Sequence, residues 1–178
     1  MHLSDLYNAY YQEAEPNRYK GDTLDRVRAG LGLAFEEKVG QVMEPLIGAD
    51  SGRPGELIIP GLSTPVAYSP DFILFEDRTI LGEVKLTWMS SREWPRERTN
   101  GFPKGANKYL TQIACQCRAM ETPYATLIAY FVNGDNDRKH YDTGMAPKLL
   151  RWDIEFSKRE MDEEWQTVLN HAKRRKLL

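Results

Sequence analysis

The apolar positions of this chain change period along its length, and each period predicts an element. Residues 68–85 carry two apolar runs separated by Glu76-Asp77-Arg78, the layout of a β-hairpin. With the turn centred on Asp77, residues whose numbers sum to 154 face each other, which sets Asp71 opposite Glu83. Side chains alternate along a strand, so Lys85 shares the face of Glu83. The hairpin therefore gathers two carboxylates and an ammonium on otherwise apolar strands. A charge taken out of water has to be paired or bound to metal, so the cluster points to chemistry.

Around the hairpin the period is helical. Ser4 opens a short amphipathic helix with Leu6, Tyr7, Tyr10, Tyr11 and Ala14 on its packing side, ended by Pro16. Asp22 caps a second helix running to about Leu46, with Gly30 and Gly32 as points of kinking or close packing. In it Leu31, Phe35, Val39, Val42, Met43 and Leu46 define a buried stripe. Glu36 lies on the flank of that stripe and Glu37 on the opposite side, in solvent. Residues 48–55 read as a loop and Glu56 to Ile59 as a short strand. Tyr109, Leu110, Ile113, Cys117 and Met120 mark a helix from Asn107 to Met120, with Lys108, Gln112 and Gln116 in a polar row along one flank. Such a row borders a cleft or is simply the edge of a surface helix. Strands follow at Pro123–Val132 and Leu149–Phe156, and a capping box, Ser157 to Glu160, opens a closing helix to about Lys173. This succession predicts an α/β fold, a mixed central β-sheet flanked by helices.

Between the hairpin and the third helix the periodicity lapses. Residues 86–108 hold five basic residues, Arg92, Arg96, Arg98, Lys104 and Lys108, against two acidic ones, with Trp88, Trp94 and Phe102 interleaved. Basic groups can meet phosphates while aromatic rings stack on bases, which makes Trp88, Trp94 and the five cations candidate nucleic-acid contacts. The competing account is a solvated loop whose tryptophans pack back on the body.

Composition narrows the setting. At 178 residues, with 41% apolar and 28% charged, the chain suits one globular domain spanning 1–178. Its parts are N-terminal helices (1–47), a catalytic core (48–132) and a C-terminal strand and helix (149–176). A net charge of −2 weighs against a protein that merely coats nucleic acid. Two cysteines give no disulfide framework, and Cys115 and Cys117, two apart on a helix, read as buried thiols on different sides. No apolar run is long enough for a bilayer and the start lacks a signal-peptide layout, so a cytoplasmic, non-secreted protein with no membrane partner is expected.

Asp71, Glu83 and Glu36 form an all-oxygen donor set suited to Mg²⁺ or Mn²⁺, with the carbonyl of Val84 as a further hard ligand. Three carboxylates crowd together only with a cation to offset their repulsion. Such an ion acidifies a water and stabilises charge on phosphorus, and Lys85 can orient that water or balance the transition state.

Pro70-Asp71 followed by Glu83-Val84-Lys85 resembles the signature of the PD-(D/E)xK nuclease superfamily. Gly32-Leu33-Ala34-Phe35-Glu36 resembles its first-helix glutamate motif, and Tyr109-Leu110-Thr111-Gln112 the glutamine motif of its RecB-like and lambda-exonuclease-like branches. The resemblance implies a restriction-endonuclease-like core in which Asp71 and Glu83 bind metal, Glu36 assists, Lys85 is catalytic and Gln112 lies near the active site. It implies a Mg²⁺- or Mn²⁺-dependent deoxyribonuclease acting on single- or double-stranded DNA, first an exonuclease of nucleic-acid processing, replication or recombination. A structure-specific endonuclease and a non-catalytic nucleic-acid-binding module on the same fold are the alternatives, and a homo-oligomer stays open. The four-cysteine iron–sulfur cluster of some relatives is not expected in a chain with two cysteines.

Overall fold

The computed structural model describes residues 1–14, 16, 23–47, 50–51, 55–59, 65–75, 77–94, 107–134 and 147–178. The elements are α1 (Leu3–Ala14), α2 (Thr23–Ile47), β1 (Asp50–Ser51), β2 (Gly55–Leu57), β3 (Val66–Tyr68), β4 (Phe72–Phe75), β5 (Thr79–Thr87), α3 (Asn107–Ala119), β6 (Tyr124–Phe131), β7 (Lys148–Glu155) and α4 (Lys158–Arg174), with a 3₁₀ turn at Ser91–Glu93. The five-stranded sheet has the order β1-β4-β5-β6-β7, and β2 with β3 forms a separate ribbon. Only β5 and β6 pair in parallel; the other neighbours are antiparallel. The fold is α/β, with a mixed central sheet and helices on its flanks.

The parallel pair needs a crossover, which the chain makes through α3. Leu81 of β5 and Ile113, Ala114 and Cys117 of α3 share one core with Leu127, Phe131, Trp152 and Phe156. On the opposite face Val84, Phe72 and Leu74 pack against Phe35 and Val39 of α2. A third cluster joins Leu3, Leu6 and Tyr7 of α1 to Cys115 and to Trp165, Val168 and Leu169 of α4. Cys115 and Cys117 are both buried and enter different clusters, as their spacing requires.

The hairpin has the expected register: Phe72 faces Gly82, Ile73 Leu81, Leu74 Ile80 and Phe75 Thr79, each pair summing to 154. The ring of Phe72 lies where a Cβ on Gly82 would be, so this position needs the close approach that glycine alone permits. The first run is shorter than the sequence suggests. Tyr68 belongs to β3 in the separate ribbon, and Pro70, which has no N–H to give a ladder, lies in the break before β4. The capping box of α4 forms as read, with the Ser157 and Glu160 side chains each accepting from the other's backbone N–H.

Three expectations need correction. The stripe on α2 is not buried throughout: Leu31 and Val42 are more than half exposed, while Phe35 and Val39 reach the sheet; the side chains of Met43 and Leu46 lie outside those described. Helical spacing identifies a common side but not whether a neighbour covers it. Gly30 and Gly32 mark no close packing, since a Cβ at either would meet nothing within 4 Å. The strand read at Glu56 to Ile59 is Gly55–Leu57, leaving Ile58 exposed and Ile59 in the α1–α4 core. Part of the 48–55 loop is β1, paired with β4. The Asp22 cap lies outside the described residues. Among the described residues no helix is long and apolar enough to cross a membrane.

Replacing Gly82 by alanine is expected to displace the Phe72 ring and cost about 1–3 kcal/mol, the usual penalty of overpacking a core. Urea unfolding of Gly82→Ala beside the parent reads this directly, and an unchanged midpoint would contradict the packing described.

Candidate active site at the open end of strand β5

β5 is buried along its middle because it is interior to the sheet, but its two sides differ. On the β6 side it is paired from Leu81 to Thr87. On the β4 side pairing stops at Gly82, because β4 begins at Phe72. Beyond that point the carboxylate of Asp71 takes the place of a strand, its Oδ2 accepting from the Val84 N–H at 2.7 Å. The N–H and C=O of one strand residue turn to the same side. The Val84 carbonyl therefore faces this same uncovered edge.

Glu83 and Lys85 point from β5 toward the α3 face, while α2 lies across the other face. The uncovered edge lets Glu36 of α2 reach round to Lys85. The Lys85 ammonium lies 2.6 Å from Glu83 Oε1, 2.8 Å from Glu36 Oε1 and 3.7 Å from Asp71 Oδ2. Gln112 of α3 donates its side-chain amide to the same Glu83 Oε1. One turn further on, Gln116 donates to the Ser69 carbonyl at 3.1 Å, tying α3 to the segment that leads into Asp71. Both glutamines are buried, so the polar row on α3 faces inward and borders the site. Glu37 is exposed and bonds to Gln41 on the helix surface.

The electrostatics follow from crowding and burial. Burial above all, then the Asp71 charge, pushes the Glu83 carboxyl up to about 8, with Lys85 pulling the other way. Burial also raises Glu36, against the opposing pull of Lys85. For Lys85 burial is the largest influence and favours the neutral amine, but Glu83, Asp71 and Glu36 together outweigh it and hold the ammonium well above its ordinary value. Lys108 is lowered by burial and by the like charge of Lys85, which places this cation beside the cluster.

The oxygen atoms around Lys85 have the chemistry of hard-cation ligands. Glu83 Oε2 is fully buried with no hydrogen-bond partner among the described residues; Asp71 shares the Lys85 ammonium with Glu83, and the Val84 carbonyl turns to the same edge as the N–H that holds Asp71. These are all hard oxygens, the kind taken by Mg²⁺ or Mn²⁺ with several waters retained. Among the described residues no three His, Cys, Asp or Glu side chains are grouped so as to hold a metal ion, the carboxylates being drawn in around Lys85. The set fits an ion held by few protein ligands.

The basic aromatic segment divides. Trp94 is turned into the core, its ring 5.2 Å from those of Phe131 and Trp152, so it has no free face for a base. Sequence alone does not distinguish it from Trp88, which is half-buried. Arg92 is exposed on the 3₁₀ turn. Arg96, Arg98, Phe102 and Lys104 lie outside the described residues. Two neighbours of the site escaped the sequence reading. Tyr7 of α1 is buried and feels the charges of Glu83, Lys85, Asp71 and Glu36; burial first, then Glu83, raises its phenol far above the usual range. A tyrosine on an amphipathic helix carries no signal of such a position. Arg28 of α2 lies with its guanidinium 5.6 Å from the centre of the Trp88 ring.

No protein-family model and no curated protein matches the sequence. Solved structures do match in fold. The chain superposes on SSO0001 with a TM-score of 0.61 at 12% identity, covering 97% of this chain and 75% of that one. The phage-related exonuclease of Haemophilus somnus 129PT gives a TM-score of 0.55 at 11% identity, with 96% and 78% covered. The alkaline exonuclease LHK-Exo of Laribacter hongkongensis gives 0.50 at 18%, with 84% and 69% covered, and has also been solved with dAMP. The mixed sheet and flanking helices are those of a restriction-endonuclease-like nuclease fold.

The ion cluster predicts how stability depends on Lys85. Lys85→Met leaves Glu83 buried without its cation, so about 3–5 kcal/mol should be lost when the carboxylate must stay charged. With its folded pKa raised further, Glu83 keeps a proton that the unfolded chain releases above about 4.5. The parent keeps that proton too up to about 8, so the deficit relative to the parent should stay level below that and grow as pH rises past it. Urea unfolding in EDTA at about pH 6 and about pH 9.5 checks this; an equal deficit at both would rule out Glu83 as the responsible group.

Proposed function

We propose that the chain is a metal-dependent DNA nuclease of the PD-(D/E)xK type that hydrolyses phosphodiester bonds, first as an exonuclease. The observation that carries this reading is the convergence of Asp71, Glu83, Glu36 and Lys85 at the uncovered end of β5, with Gln112 fixing one Glu83 oxygen and the other without a partner among the described residues. The fold shared with two exonucleases supports it. So does charge: three carboxylates and one ammonium sum to −2 when all are ionised, which a single divalent cation balances.

In this reading Asp71, Glu83 and the Val84 carbonyl hold Mg²⁺ or Mn²⁺, with Glu36 alongside. The bound ion supplies neutralising charge to the phosphodiester and a more acidic water. The protein's own groups do the rest. Lys85, kept protonated in the free protein, orients the attacking water and offsets the negative charge that builds on phosphorus, a role in which it need not accept a proton. Water adds to phosphorus, one P–O ester bond breaks, and a phosphate monoester and a hydroxyl result, with the water's proton passing to the leaving oxygen or to solvent. Gln112 holds Glu83 in one rotamer, and the Val84 N–H holds Asp71, so neither has to be ordered as substrate binds. Lys108 adds a cation for the approaching phosphate.

Purified protein should shorten linear DNA in Mg²⁺ or Mn²⁺ and not in EDTA, while closed circular DNA survives. Asp71→Ala and Lys85→Ala should each lower the rate by roughly 10²–10³-fold or more, the scale of losing one transition-state-stabilising group. Cutting of circles would assign an endonuclease. Metal-independent cutting, or full activity in both variants, would overturn the mechanism, and DNA binding without turnover would assign a non-catalytic module.

A further inference from the structure

Beyond the ion cluster, α2 and β5 meet a second time. Phe35 of α2 packs toward the sheet with its ring 5.3 Å from that of Tyr130, the residue paired with Leu86. Eight residues before Glu36, about 12 Å along the helix axis, Arg28 covers one face of Trp88. Trp88 in turn lies three residues after Lys85, about 10 Å along the chain. The two contacts, Glu36 with Lys85 and Arg28 with Trp88, are thus set about 10–12 Å apart, about three nucleotides at a per-strand rise of about 3.4 Å.

The Trp88 platform is rigid although it follows the end of a strand. The Thr87 carbonyl accepts from the Val132 N–H at 3.0 Å, and the Trp88 carbonyl accepts from the Asn133 side-chain amide at 3.1 Å. The Ser91 N–H donates to the Gly134 carbonyl at 2.8 Å, and Gly134 takes φ 56°, the left-handed turn that glycine favours. The chain either side of Trp88 is thereby fixed to the turn after β6. Trp94, Trp152 and Trp165 are 4%, 5% and 7% exposed, whereas Trp88 is only half-buried.

We infer that Arg28 and Trp88 form a nucleotide subsite beside the reaction centre, taking single-stranded DNA by stacking a base on the indole and pairing the guanidinium with a phosphate. An indole face accepts any base, and the planar guanidinium matches phosphate oxygens as well as it stacks on the ring. In the free protein the guanidinium occupies the ring; on binding, the base takes its place and Arg28 turns to the backbone. This site rests on the nuclease reading for its substrate but not for its test.

The test uses the full chain in EDTA, with an oligothymidylate as probe, so that no cutting is needed. Tryptophan emission should fall saturably as the oligonucleotide is added, and Trp88→Phe should remove that fall while anisotropy of a labelled probe still reports binding. Trp88→Ala should weaken binding about tenfold, within the range for losing one base–aromatic stack. Arg28→Ala should reduce the slope of log affinity against log salt by about 0.7, the value of one lost phosphate contact on a single strand, and Arg28→Lys should restore it. Quenching that persists in Trp88→Phe, or an unchanged salt slope in Arg28→Ala, would overturn the subsite. The two readings fail separately. DNA cut by a protein whose Trp88 emission does not respond rejects the subsite alone, and Trp88-dependent quenching without cutting rejects the nuclease alone.

Discussion

The structure depends on keeping one buried carboxylate solvent-free without leaving its charge unanswered. Glu83 is fully buried, in the middle of a strand flanked by apolar residues. Lys85 is its nearest counter-charge, two residues on and on the same face. That pair alone would be neutral. Asp71 and Glu36 make it anionic, and the free protein answers partly by raising Glu83 to about 8, where a shared proton relieves the repulsion. A buried ion pair is poor value for stability compared with apolar side chains of the same size. Four charged groups from α2, the β4 approach and β5 are therefore hard to explain as a stabilising device.

Topology explains why they meet where they do. β5 is the strand at which the sheet changes from antiparallel to parallel pairing. Here β4 falls short of the carboxyl end of β5, which leaves a window in the sheet edge. Asp71 closes part of it through the Val84 N–H, and Glu36 enters through the rest. The α3 crossover that a parallel pair requires brings Gln112 onto Glu83. Each partner of Glu83 thus arrives by a separate requirement of the fold.

The site was more legible in the sequence than its surroundings were. Strand periodicity is strict, so a polar turn centred on Asp77 fixes which residues face each other, and Asp71, Glu83 and Lys85 followed from arithmetic. Glu36 could be chosen over Glu37 because helical angle separates adjacent residues by about 100°. Gln112 and Gln116 were visible as a row, but periodicity does not tell an inward flank from an outward one. The same limit made the α2 stripe look buried when Leu31 and Val42 are exposed. Trp88 and Trp94 could not be separated, since only the packing of Trp94 against Phe131 and Trp152 removes it from the surface. Tyr7 and Arg28 depend on how α1 and α2 sit against the sheet, which no local pattern encodes.

That dependence makes α2 the element on which the geometry turns. It carries Glu36 and Arg28, two polar groups aimed at β5, on a helix whose described apolar residues mostly face solvent: Val27, Leu31, Leu33 and Val42 are all more than half exposed. Among its described side chains, Phe35 and Val39 pack against Phe72, Leu74 and Val84, and Glu36 pairs with Lys85. Because eight residues make just over two turns, a rotation of α2 that spoils one polar contact also spoils the other. The aromatic contact of Phe35 with Tyr130 thus sets the placement of charge as well as burying area.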